Sequence, residues 1–175
     1  MRKTISTKVV YENKYFRVSE DRFIHPHDEE EGSYAYVEKS TAVVVVALDE
    51  ADRIFFVKQY RYTVDAESVE LPIGKVEGNE PPLEGAKREL LEETGLSASS
   101  WNLLGVLWEV PGWSSSSAYV YLARGLSRSS RRLEHTERDM TDTTISLAEV
   151  RGMIAAGEIR DCLTISSLCL HMMQG

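Results

Sequence analysis

Cysteine is scarce in this chain, with two among 175 residues, Cys162 and Cys169, both on an apolar C-terminal stretch. Seven positions on a helix separate them by two turns, roughly 10 Å, too far for a mutual disulfide. Buried thiols in a reducing cytoplasm are therefore expected. No apolar run approaches ~18 residues and no charged-then-apolar leader opens the sequence, so neither a membrane span nor a signal peptide is expected. Basic residues are in deficit, 20 Lys and Arg against 28 Asp and Glu, which gives a net charge of -8. Such a balance argues against nucleic-acid or anionic-membrane partners. An acidic protein that handles an anionic ligand needs local cations, bound metal or well-placed Arg and Lys. The length suits one domain with a substantial core and a small appendage.

What is present is concentrated between Leu71 and Leu96, LPIGKVEGNEPPLEGAKRELLEETGL. Gly74 and Lys75 leave a strand end, Asn79 or Glu80 can cap a helix, and Pro81-Pro82 suit its first turn, where a missing N–H is harmless. Gly95 closes it. Leu83, Ala86, Leu90 and Leu91 recur at helical spacing, so one face can pack on a sheet while the other carries charge. On that charged face Glu84, Arg88 and Glu92 stand four apart, a spacing that lets Arg88 bridge both acids. Glu89 and Glu93 have no basic neighbour one turn away, and like charges at that spacing destabilise a helix. Either they form a solvated acidic face or a hard cation compensates them, with Mg²⁺ or Mn²⁺ favoured by few oxygen ligands and room for water.

Gly74, five residues, Glu80, seven residues, then Arg88-Glu89-Leu90, Glu92-Glu93 and Gly95-Leu96 resemble the complete signature of the Nudix hydrolase family. Every fixed position is filled, which makes a chance match very unlikely. The resemblance implies an α/β class fold, an α/β/α sandwich with a mixed sheet preceded by N-terminal antiparallel strands. It also implies divalent-metal-dependent hydrolysis of a nucleoside diphosphate linked to another moiety. By the same resemblance Glu89 and Glu93 bind metal, helped by Glu92 and the Ile73 carbonyl, while Arg88 and Glu80 orient the loop and helix.

Upstream, 4–11, 15–24 and 34–38 alternate loosely in aromatic and β-branched residues and read as strands. Residues 1–40 have too little apolar surface to fold alone, and a second unit, 41–175, is expected to carry the catalytic fold. The layout resembles the ADP-ribose pyrophosphatase branch of the family, which implies a swapped homodimer and an aromatic stacked on the base, here Tyr15 or Phe16. Phe16 as a core strand residue is the alternative. His25 and His27 in an acidic loop read as exposed loop residues rather than a metal pair.

Residues 41–48, TAVVVVAL, form a continuous apolar run, as in a strand covered on both faces, and 54–60 return as a second strand. The following Gln59-Tyr60-Arg61 and Val69-Glu70-Leu71-Pro72 also resemble that branch, which places Arg61 and Glu70 against the substrate. A guanidinium forks onto phosphate or stacks on a base; a solvated strand end is the plainer reading of Arg61, and a metal ligand or loop cap that of Glu70. Residues 101–110 read as a strand that Pro111-Gly112 interrupts, and the resemblance makes this pair a substrate contact. Trp113-Ser114 departs from the branch, which usually has an acidic residue after the Pro-Gly.

After a strand at 118–126 and a basic stretch, 134–140 fall where the branch has an acidic loop, and the resemblance implies Glu137, with Asp139 the runner-up, as general base or extra metal ligand; a carboxylate of the signature helix such as Glu92 is the other candidate for the base. Helices are expected over 147–156 and 162–173. The reaction implied is cleavage of ADP-ribose to AMP and ribose 5-phosphate; another sugar nucleotide such as GDP-mannose, or a ligand-binding regulator without turnover, is the alternative.

Overall fold

The TAVVVVAL run sits at the centre of the computed structural model, which describes residues 2–129 and 139–174. Strand β4 (Ala42–Ala47) is buried at every position, which requires cover on both faces. Helix α1 (Pro82–Thr94) supplies one cover: Ala86 and Leu90 pack with Val43, Val45 and Ala47. The alternate residues Val44, Val46 and Leu48 face a second core with Val150 of α2 (Leu147–Ala155) and Leu168 of α3 (Cys162–Gln174). One strand thus divides two apolar layers, and an α/β/α sandwich follows from its side-chain alternation.

Around β4 the sheet is mixed. It pairs antiparallel with β7 (Ile73–Lys75) and parallel with β9 (Ser117–Arg128), and β8 (Leu96–Trp108) lies beyond β9 at the edge. A second, antiparallel sheet runs β10 (Thr141–Ile145), β5 (Ile54–Arg61), β6 (Ala66–Glu70). β4 turns into β5 through Asp49, whose carboxylate accepts from the Ala51 and Arg53 N–H groups. One 3₁₀ turn (Tyr62–Val64) then joins β5 to β6 and ends at Asp65 in a left-handed conformation.

The chain divides into two units. One takes in Met1–Thr41 and Trp108–Ser117, the other Ala42–Leu107 and Ala118–Gly175. The first contains an antiparallel meander of β1 (Lys3–Glu12), β2 (Phe16–Ile24) and β3 (Glu31–Lys39). Within it the 108–117 segment is fastened to β3: Val37 N–H donates to the Trp113 carbonyl at 2.8 Å, the Tyr34 hydroxyl donates to the Gly112 carbonyl, and Lys39 pairs with Glu109 at 2.5 Å. No described helix is long and apolar enough to cross a membrane.

Two expectations change. Cys162 is exposed and Cys169 half-buried rather than both being core thiols, because Cys162 opens α3 before its packed face begins. Strands β6 and β10 were not foreseen, and β7 only as the strand end at Gly74 and Lys75: each is five residues or fewer, too short for an alternation to stand out.

Candidate active site

The candidate site lies in the second unit, where β7 meets α1. Helix α1 begins at Pro82, with Pro81 as its cap residue and no side-chain cap. Glu80, expected as a possible cap, serves elsewhere: its carboxylate accepts from the Glu77 N–H at 2.9 Å and from Arg88 at 2.8 Å. Those bonds hold its pKa below the ordinary carboxylate value, Arg88 contributing most. Gly95 ends the helix at φ 71°, donating to the Leu91 carbonyl, the left-handed closure that glycine makes at least cost.

Arg88 is the hub. One terminal nitrogen donates to Glu89 at 2.8 Å and to Glu92 at 3.0 Å, the other to Glu80 and to the Lys75 carbonyl at 2.7 Å. Burial pulls its pKa down, but Glu80, Glu89 and Glu92 outweigh that and push it well above its ordinary value. The expected bridge to Glu84 is not made; Glu84 pairs with Lys87, because Arg88 is bent toward the β7 end. Glu89, which i±4 spacing left without a base, is met by the arginine adjacent in sequence for the same reason.

Glu89 and Glu93 are not on a solvated face. They are 8% and 1% exposed, turned in among the core layers, which excludes the bland reading of the acidic run. Glu89 also accepts from the Lys75 N–H at 3.1 Å. Its carboxyl is pushed up by burial, an effect that the Arg88 hydrogen bond and charge only partly offset and the Glu92 charge adds to. Gly74 makes this approach possible. A Cβ there would stand 1.9 Å from the Glu89 carboxyl carbon, so only glycine leaves the space the carboxylate fills.

Two buried carboxylates one turn apart are costly unless a cation accompanies them. Among the described residues no three His, Cys, Asp or Glu side chains converge as a closed cage. A Mg²⁺ or Mn²⁺ ion that keeps several waters needs only one or two carboxylates, a demand that the buried carboxylates Glu89 and Glu93 fit in number and chemistry.

Arg61 and Glu70 lie at the neighbouring sheet. The β5–β6 register sets Arg61 opposite Ala66 and Glu70 opposite Val57, on one face of the sheet, and the long Arg61 side chain reaches along that face to fork onto Glu70, Nε to Oε1 at 2.9 Å and Nη2 to Oε2 at 2.5 Å. Glu70 is 3% exposed, and Gln59 approaches it at 3.4 Å. The Glu70 hydrogen bond raises the Arg61 pKa against the effect of burial, and the charges of Glu70, Glu93 and Asp161 add to it. Arg61 therefore belongs to the same electrostatic neighbourhood as Glu93, and its side chain keeps 41% exposure, so it is not a fully solvated strand end.

The other expected residues lie apart in the chain's organisation. Tyr15 and Phe16 are exposed at the start of β2, Phe16 tilted against Tyr11, so Phe16 is not a core residue. Pro111 and Gly112 belong, with them, to the first unit. Glu137 lies outside the described residues, and Asp139 is exposed in the turn before β10. Sequence reasoning missed Thr164, a fully buried α3 residue whose Oγ1 accepts from the Leu71 N–H at 3.0 Å. Its only sequence signal is a hydroxyl at the first turn of a largely apolar helix, one turn before Ser167, which is also buried.

Residues 38–160 match the NUDIX domain family. An ADP-ribose pyrophosphatase of Mycobacterium tuberculosis is 41% identical over 77% of this chain and 67% of its own length. One from Bacillus subtilis is 32% identical over 70% and 67%, and a methanol dehydrogenase activator of Bacillus methanolicus 29% identical over 93% and 88%. Among solved structures, an ADP compounds hydrolase superposes with a TM-score of 0.85 at 20% identity, covering 99% of this chain and 93% of that one. This chain belongs to the Nudix family and is one of its hydrolases.

Proposed function

We propose that the chain hydrolyses the pyrophosphate bond of ADP-ribose, giving AMP and ribose 5-phosphate, with Mg²⁺ or Mn²⁺ as the required ion. The observation that carries this is the buried Glu89–Glu93 pair, of which Glu89 is held against Gly74 by Arg88; the similarity to two ADP-ribose pyrophosphatases supports the choice of substrate. Glu89, Glu93, Glu92 and the Ile73 carbonyl would hold the ion, which would supply a lowered water pKa and compensation of charge on the phosphate oxygens.

The chain's own residues do the rest. Arg88 ties the Lys75 carbonyl, Glu80 and two acids of α1 into one frame, so loop and helix keep their separation without rearrangement during reaction. Glu137, with Asp139 as the alternative, takes the proton of the attacking water. The water oxygen bonds to phosphorus as the bridging P–O bond breaks, and the departing phosphate leaves as a monoester. Arg61, oriented by Glu70, directs its remaining N–H donors to phosphate. Tyr15 or Phe16 from a second copy stacks on the adenine, and Pro111-Gly112 borders the ribose. The working form is a cytoplasmic homodimer that binds neither nucleic acid nor membrane.

Phosphomonoester release from a panel of nucleoside diphosphate sugars, with and without Mg²⁺ or Mn²⁺, tests this in the wild type and in Glu93→Gln. Metal-dependent turnover with ADP-ribose preferred, falling by about 10³-fold or more in the variant, is expected, since Glu93 would hold the ion that offsets charge in the transition state. Folded protein without turnover on any member would overturn the reading.

A further inference from the structure

The segment from Glu70 to Lys75 is held residue by residue, and by different elements. Arg61 of β5 forks onto the Glu70 carboxylate. Val45 of β4 donates to the Pro72 carbonyl at 3.0 Å. Ile73 and Gly74 pair with Val44 and Val43. Lys75 is clasped by Glu89 and Arg88 of α1. Leu71 remains, and its N–H donates to the Thr164 hydroxyl at the first turn of α3.

Both ends of that bond are fully buried. A valine of nearly the same shape would pack there without a hydroxyl to satisfy, so the hydroxyl has the cost of burial and must return something for it. What it returns is a partner for a backbone N–H that water cannot reach. Thr164 is itself placed by Asp161, whose carboxylate accepts from the Thr164 N–H at 2.7 Å and caps α3. Asp161 also bears electrostatically on Arg61, so the start of α3 and the Arg61–Glu70 fork are neighbours.

We infer that Thr164 is a positioning residue of the hydrolytic site: by holding the Leu71 N–H it fixes the Glu70–Ile73 backbone that presents the Glu70 carboxylate to Arg61 and the Ile73 carbonyl to the ion. This rests on the proposed function for the role of Ile73 and deepens it by bringing α3, which begins 66 residues past the signature (162 − 96), into the site's frame. The hydroxyl does not touch substrate and takes no part in bond breaking.

The test compares Thr164→Val with Thr164→Ser in the full chain. The readouts are kcat and KM for ADP-ribose, Mn²⁺ affinity by calorimetry without substrate, and hydrogen exchange of the 70–75 amides. Thr164→Val is expected to lower kcat on the order of 10²-fold, as a displacement of about 1 Å in a reacting frame does. It should also weaken Mn²⁺ binding and speed exchange at Ile73 and Gly74, with KM little changed; Thr164→Ser should restore all of these. A folded Thr164→Val with wild-type kcat, Mn²⁺ affinity and exchange would overturn the inference. If Thr164→Val does not fold, an ester in place of the Leu71 amide removes the same bond from the other side, with the same expected and contrary results. Should the wild type turn over no substrate, the function fails while Mn²⁺ affinity and exchange still decide the role of Thr164.

Discussion

A methyl group on Gly74 would land on the Glu89 carboxyl, the far end of a side chain that can rotate. Gly74→Ala should therefore fold, with a melting temperature close to wild type, and fail at the site. Displacing Glu89 from the Lys75 N–H and Arg88 would lower ADP-ribose turnover by about 10²-fold and weaken Mn²⁺ binding, measured by monoester release and calorimetry. Unchanged turnover would show that Glu89 need not occupy that space. The residues of this frame were legible from the signature alone, but their partners were not. Helical spacing assigned Arg88 to Glu84 and Glu92; the bond to Glu92 formed, and the pull of the Lys75 carbonyl and Glu80 replaced the other. Spacing also reads an acidic run as a surface, whereas Glu89 and Glu93 are both buried, Glu89 against Gly74 and Lys75 of β7.

Elements with long, consistent patterns were the readable ones. β4 announced two-sided burial through six apolar residues, and α1 through its glycine stop. β7 gave no more than a strand end at Gly74 and Lys75, because three residues carry no period and its pairing partner lies some thirty positions upstream. Helix α2 offers a test at this scale. Ser146 and Glu149 form a capping box, the Ser146 Oγ accepting from the Glu149 N–H and Glu149 accepting from the Ser146 N–H at 2.9 Å. The Ser146 hydroxyl and N–H hold the Glu149 pKa below its ordinary value. A carboxylate depressed in the folded state contributes stability that is present above its unfolded pKa and is lost as pH falls through the folded one. Thermal melts should find wild type more stable than Glu149→Gln at neutral pH, the two converging as pH drops below the ordinary carboxylate range. A gap independent of pH would remove Glu149 ionisation from the cap.

For the whole molecule the telling feature is the first strand. All ten residues of β1 are exposed, with Ile5, Val9, Val10 and Tyr11 each near half of full exposure or above, and β1 is also the edge of its sheet. Monomers seldom leave an apolar strand edge open. Sedimentation should give the mass of two chains, and Ile5→Lys with Val10→Lys should shift it to one. If the swapped aromatic supplies the base contact, KM for ADP-ribose rises in step with dissociation while Mn²⁺ affinity stays. A wild type that sediments as a single chain would exclude the dimer. The Leu71–Thr164 bond has a bearing on how such a molecule comes into being. The signature from Gly74 to Leu96 can be synthesised, and α1 formed, long before α3 exists, yet the backbone ahead of Gly74 lacks its last anchor until Thr164 arrives. Competence for hydrolysis thus comes late in the life of the nascent chain, and a fragment that carries the full signature but stops short of α3 would be a recognisable sequence without a finished enzyme.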